Sequence, residues 1–182
     1  NVIQVTSSIS GEGKSFVSGN LAATIALTGR SVLIMELDLR KPKVRQYFGL
    51  EKGLGVTDYL IDLATLDEVI QEVPQVDDLY LISSGAIPPN PTELLGSEGF
   101  QSMMEQLKQR FDYIVMDTAP ISLVTDSQVL AHHAQATLYV LRHNYTTKGY
   151  LDFIQQLFVT NKFGTGFTST VTTKGNPIQP AA

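Results

Sequence analysis

Between a short apolar run and a helical pattern lies Ser7-Ser8-Ile9-Ser10-Gly11-Glu12-Gly13-Lys14-Ser15, a segment made mostly of small residues. The run before it holds Val2, Ile3 and Val5 and reads as a strand. The pattern after it predicts a helix over 14–28, with Phe16, Val17, Leu21, Ile25 and Ala26 as its apolar positions and Gly29 at its end. A strand and a helix that pin the two ends of such a loop let its backbone N–H groups turn inward around an anion. The helix then aims its first amides and the positive end of its dipole at the same point. The spacing approaches G-x-x-x-x-G-K-[ST], in which the Lys reaches phosphates and the hydroxyl binds Mg²⁺. Ser8 stands where the first Gly is expected, and an ordinary glycine-rich turn is the competing reading. The candidate phosphate-binding residues are Ser10, Gly11, Glu12, Gly13, Lys14, Ser15 and Phe16.

The rest of the chain repeats the alternation of apolar runs and helical patterns, which predicts an α/β fold with helices on both faces of a mostly parallel, doubly wound sheet. Strands are expected at 32–35, 79–82, 113–116 and 136–141. The first of these is apolar on both faces, as a buried parallel strand is. Pro42 marks a turn or a helix start. Two short helices are expected within 55–73. The second covers 66–73, capped by Thr65 with Glu68 completing a capping box. A Pro/Gly-rich loop follows at 83–91, then helices at 97–110, 125–133 and 147–161, the last with Thr146 as its cap. Residues 1–163 read as the folded domain. Residues 164–182 read as an irregular segment: an edge strand or disordered end over 164–173, then a disordered tail.

Asp38 and Asp117 each stand just after a buried apolar run, so both fall at the C-terminal edge of the sheet beside the loop. Ligands of open α/β sheets bind at that edge. A hydroxyl and one or two carboxylates suffice for Mg²⁺, which prefers oxygen and keeps waters. The candidate metal residues are therefore Ser15, bound directly, with Asp38 and Asp117 bound directly or through water. A helix cap is the alternative role for a single Asp at such a place.

The 182 residues are enough for one domain, and a net charge of -5 argues against nucleic acid as the main partner. With no cysteine, disulfides, Cys-based zinc sites and iron–sulfur clusters are excluded. There is no apolar stretch of membrane-spanning length and no signal peptide. The chain starts at Asn1 inside a strand-like run and reads as a soluble fragment of a longer protein. His132 and His133, near a helix end, read as solvated or dipole-compensating residues, and His143 as a loop residue. Nothing marks Tyr145 or Tyr150 as a phosphorylation site.

Four segments together resemble the bacterial tyrosine kinases of exopolysaccharide synthesis. They are Ser10-Gly11-Glu12-Gly13-Lys14-Ser15; Leu33-Ile34-Met35-Glu36-Leu37-Asp38-Leu39-Arg40-Lys41-Pro42; Ile114-Val115-Met116-Asp117-Thr118-Ala119-Pro120; and Gly85-Ala86-Ile87-Pro88-Pro89-Asn90-Pro91-Thr92-Glu93-Leu94-Leu95. They look like the family's Walker A loop, its second Walker motif, its Walker B strand and its G-x-x-P-P-N-P-x-E-L-L loop. The resemblance implies a P-loop ATPase fold, ATP and Mg²⁺ as cofactors, ADP as product, and transfer of the γ-phosphoryl group to a tyrosine hydroxyl. Lys14, Asp38, Asp117 and Arg40 would be the catalytic set. In it Asp38 helps to bind Mg²⁺ and takes the tyrosine proton, and Arg40 contacts phosphate or an interface. The implied partners are a tyrosine-bearing tail of the same or a neighbouring subunit, a homo-oligomer, and the membrane adaptor or polysaccharide co-polymerase segment of the parent. The implied location is the cytoplasmic side of the bacterial inner membrane.

Three features depart from the family pattern. Glu36 replaces the first Asp of the second motif, no tyrosine follows Tyr150, and 164–173 is polar where the family's last strand is apolar. A nucleotide-gated, non-catalytic scaffold of the polysaccharide machinery is therefore a second reading. A partitioning or division-type ATPase is a third, but Ile9 stands where those relatives carry a signature Lys.

Overall fold

The computed structural model describes residues 1–122, 125–159 and 167–173. Seven strands form one sheet: β1 (Val2–Ser7), β2 (Val32–Leu37), β3 (Ile70–Glu72), β4 (Leu79–Ile82), β5 (Tyr113–Thr118), β6 (Ala136–Arg142) and β7 (Phe167–Thr173). Their order is β3-β4-β2-β5-β1-β6-β7. Every neighbouring pair is parallel except β3 with β4. The expected doubly wound, mostly parallel architecture is what the chain adopts. The helices are α1 (Lys14–Ala26), α2 (Val44–Tyr47), α3 (Val56–Leu60), α4 (Leu66–Val69), α5 (Pro91–Leu95), α6 (Glu98–Arg110), α7 (Asp126–Ala131) and α8 (Lys148–Val159).

Strand periodicity divides the core into two layers. Val32 and Ile34 of β2 join Val5, Val115 and Val140 under Ala22 and Ala26 of α1. Leu33, Met35 and Leu37 face the other way, against Phe100, Met103, Met104 and Leu107 of α6 and Leu130 of α7. A smaller cluster of Ile121, Ala131, Tyr139 and Ile154 seats α8. All six residues of β2 are buried, Glu36 among the apolar five, as befits a central parallel strand.

Two expectations are corrected. Residues 66–73 are not one helix: α4 ends at Val69 and 70–72 pair antiparallel with β4. The capping box at the start of α4 is present, Glu68 accepting from the Thr65 N–H at 2.8 Å. Thr146 does not cap α8, because its hydroxyl accepts from the Arg142 N–H and donates to Glu12. Asp117 follows the buried run of β5 as expected, and the strand continues one residue further, to Thr118. Of the polar stretch 164–173, the described part is β7, an edge strand parallel to β6; residues 164–166 and the expected tail at 174–182 lie outside the described residues.

The connections put the C-terminal ends of β1, β2 and β5 side by side. From β1 the chain runs through α1 to β2, stepping over β5, whereas β6 lies on the other side of β1. That reversal opens a crevice at the strand ends, where ligands of such sheets bind.

Candidate functional site

The loop from β1 to α1 occupies this crevice. Gly11 and Gly13 have φ of +92° and +94°, a left-handed conformation costly for any residue with a Cβ. Gly13 precedes the first turn of α1, and no side chain caps that end. The loop is braced from outside. The Ile121 N–H donates to the Ser7 carbonyl at 2.9 Å, the Ser122 N–H to the Ser8 carbonyl at 3.3 Å, and the Tyr139 hydroxyl to Ser8 Oγ at 2.9 Å. Glu12 is buried and accepts from the Ile9 N–H at 2.8 Å, closing the loop on itself. Phe16, in the first turn of α1, sets its ring edge-on to Tyr47.

Lys14 points from the start of α1 into the strand ends. Its Nζ lies 3.1 Å from Asp38 Oδ2 and 3.5 Å from Asp117 Oδ2. Ser15 Oγ donates to Asp117 Oδ2 at 2.7 Å, and Ser18 Oγ to Asp117 Oδ1 at 2.9 Å. Asp38 Oδ1 accepts from the Lys41 N–H at 3.0 Å. Lys14, Ser15, Asp38 and Asp117 are all buried, and Asp117 is fully so. Burial alone would lower the Lys14 pKa, but Asp117 and Asp38 outweigh it, and the ammonium is held above its usual 10.5. Burial raises Asp117 above the ordinary aspartate value, against the pull of Lys14 and the two serine hydroxyls. Two carboxylates and a hydroxyl thus converge from three elements on a single cation.

Arg40 and Glu36 stand elsewhere. Arg40 Nε lies 3.3 Å from Asp126 Oδ2, a fully buried carboxylate at the start of α7. Thr92, in the Pro-Pro-Asn-Pro loop segment, donates its hydroxyl to the other oxygen of Asp126. Asp126, at the start of α7, therefore ties the loop after β2 to α5. Glu36 is fully buried, and its oxygens accept from the Arg45 N–H at 3.3 Å and the Ser84 N–H at 3.1 Å. It braces α2 and the segment after β4.

Sequence reasoning missed Ser18, Asp126, Arg142 and Tyr145. Ser18 was findable, since it follows Ser15 by three residues and shares its helix face. The other three reach the site only through contacts with residues 34 or more positions away, and no local pattern marks them. Of the histidines, His132 and His143 are exposed, and His133 is half-buried edge-on against Phe100.

The chain matches the AAA domain family over residues 1–163. It is 36% identical over 146 residues to the tyrosine-protein kinase YwqD of Bacillus subtilis, covering 80% of this chain and 61% of that protein. It is 36% identical over 143 residues to the tyrosine-protein kinase ptk of Acinetobacter johnsonii, covering 79% of this chain and 19% of that protein. The chain thus spans three-fifths of one relative and one-fifth of the other. Among solved structures, the kinase domain of the Escherichia coli tyrosine kinase ETK superposes with a TM-score of 0.87 at 28% identity, over 100% of this chain and 70% of that one.

Proposed function

Because the chain belongs to the AAA domain family and to its bacterial tyrosine-kinase relatives, we propose that it binds ATP at residues 10–16 and transfers the γ-phosphoryl group to tyrosine hydroxyls. The observation that carries this reading is the placement of Lys14 behind the glycine loop, between Asp38 and Asp117.

The main-chain amides of the loop and the first turn of α1 hold the β- and γ-phosphates. Lys14 exchanges part of its carboxylate contact for phosphate oxygens and offsets their charge. The donor set fits Mg²⁺: it is all oxygen, two carboxylates and a hydroxyl, and already supports one cation in Lys14. Ser15, Asp38 and Asp117 would hold the ion, which when bound supplies charge neutralisation to the phosphates. A free tyrosine has a pKa near 10, so a carboxylate that takes its proton helps the attack. Asp38, at the mouth of the cluster, takes that proton as the tyrosine oxygen bonds to the γ-phosphorus. The bond from the γ-phosphorus to the bridging oxygen breaks, and ADP leaves. Arg40, paired with Asp126, orders the loop that carries Asp38.

The substrate tyrosine lies on a tail of the same or a neighbouring subunit, in a parent that works on the cytoplasmic side of the inner membrane in exopolysaccharide or capsule synthesis. Among the described residues, no helix is long and apolar enough to cross a membrane. One observation favours a second reading, a nucleotide-gated scaffold without transfer: both oxygens of Glu36 are taken by backbone N–H groups.

The two readings separate when the protein is incubated with radiolabelled ATP, Mg²⁺ and a tyrosine-rich peptide. Phosphotyrosine in the wild type, absent in Lys14→Met and Asp38→Asn, is the expected outcome. Calorimetric uptake of ATP without transfer would favour the scaffold. No uptake by folded protein would end both readings.

A further inference from the structure

A phosphate loop works when its amides face inward, which leaves its carbonyls facing outward and in need of donors. For Ser10 and Gly11 those donors come from one place, the turn between β6 and α8. Arg142 donates from Nη1 to the Gly11 carbonyl at 2.9 Å. The Tyr145 hydroxyl donates to the Ser10 carbonyl at 3.0 Å. The Thr146 hydroxyl donates to the Glu12 carboxylate, which in turn holds the Ile9 N–H. Three side chains from residues 142–146 thus grip three consecutive loop residues.

The turn is rigid in its own right. The Tyr145 and Thr146 N–H groups both donate to the Arg142 carbonyl, at 3.1 and 2.9 Å. The Arg142 N–H donates to Thr146 Oγ1 at 2.9 Å, and Asn144 takes a φ of +59° to close the turn. The Arg142 guanidinium sits 5.1 Å over the Tyr145 ring, so each side chain limits the freedom of the other. The ring also packs directly on the loop: a Cβ at Gly11 would stand 2.8 Å from the Tyr145 hydroxyl.

We propose that residues 142–146 form a clamp that presets the phosphate loop for nucleotide, with Arg142 and Tyr145 as positioning residues. The inference rests on the reading of residues 10–16 as a nucleotide site. Its physical content is preorganisation. A loop whose outward carbonyls are already satisfied loses little conformational freedom when phosphate arrives, so the gain appears in affinity.

The test measures Mg-ADP binding by calorimetry and steady-state kinetics for wild type, Tyr145→Phe, Arg142→Met and Tyr145→Ala, with urea unfolding of each apo protein as the control for folding. Tyr145→Phe keeps the ring and removes one donor. We expect it to weaken Mg-ADP binding about 3- to 10-fold, the range of one net hydrogen bond. Arg142→Met should weaken it by a similar or larger factor. The KM for ATP should rise with the Kd, while kcat moves less than about twofold, as for uniform binding. Tyr145→Phe matching wild type while Tyr145→Ala weakens binding would mean that the ring's packing, not its hydroxyl bond to the Ser10 carbonyl, sets the loop, and would overturn a clamp built on satisfied carbonyls. Full affinity in both Tyr145→Phe and Arg142→Met would overturn it as well. Failure of the wild type to take up ADP would instead bring down the nucleotide site itself.

Discussion

Lys14 carries two burdens, since it is both the candidate phosphate ligand and the counter-charge for a fully buried Asp117. Removing it leaves Asp117 and Asp38 in low dielectric with hydrogen-bond donors but no counter-charge, which costs more than a surface ion pair returns. Lys14→Met should therefore lower apo stability by roughly 3 kcal/mol, and the double variant Lys14→Met/Asp117→Asn should recover much of the loss. Chemical denaturation of the three proteins checks this. A double variant no more stable than Lys14→Met would mean that the pair is not coupled. The same arrangement explains why the bare Gly-Lys-Ser motif under-describes the site. The motif marks the loop, and the carboxylates that make Lys14 usable stand 24 and 103 residues further along the chain, just past β2 and within β5.

Among the elements, β2 organises the site because its two ends serve different purposes. Its apolar run anchors both core layers, and its C-terminal end carries Glu36 and, one residue past the strand, Asp38. Glu36 accepts two backbone N–H groups, and a glutamine would present an amide donor to one of them. Glu36→Gln should cost about 1–3 kcal/mol, read from the shift in urea midpoint at constant slope. An unchanged midpoint would show that these contacts contribute nothing. Element existence was largely legible from the sequence, because strands and long helices carry periodicity. The exceptions were the short helix α5, where only a loop up to residue 91 was expected, and β3. The helix-start signal at Thr65–Glu68 is real, but three residues of edge pairing with β4 end the helix at Val69.

At the scale of the whole molecule, the site joins elements from both halves of the chain, so ligand should be felt in global stability. Mg-ATP at about 100 times its Kd should add about 2.7 kcal/mol, and Lys14→Met should lose the gain. That corresponds to a rise in Tm of about 5–10 °C for a domain of this size. Thermal scans with and without nucleotide decide it; a flat wild-type response would count against the site. The second global lever is acid. Burial, with Lys108 and His132 nearby and Glu105 opposing, holds the His133 pKa below 6.5. The folded state then binds that proton more weakly than the unfolded chain. The contribution of neutral His133 is complete above about pH 6.5 and is lost as pH falls from there through the folded value. Denaturation midpoints measured from pH 7.5 to 5 should drop more for wild type than for His133→Gln, and parallel curves would refute the assignment.

By itself, the sequence determined the strand–loop–helix unit at the N-terminus, the parallel class of the sheet, and the acidic residues at its strand ends. Each is a local matter of spacing, since periodicity and small-residue loops act over a few neighbours. Only the tertiary structure decided that Asp126 would take Arg40, that Glu36 would serve the backbone, and that Arg142 and Tyr145 would grip the phosphate loop. Those partners lie from 9 to 135 residues apart. What selects them is the order in which strands lie side by side, and the burial that obliges every polar group there to find a partner.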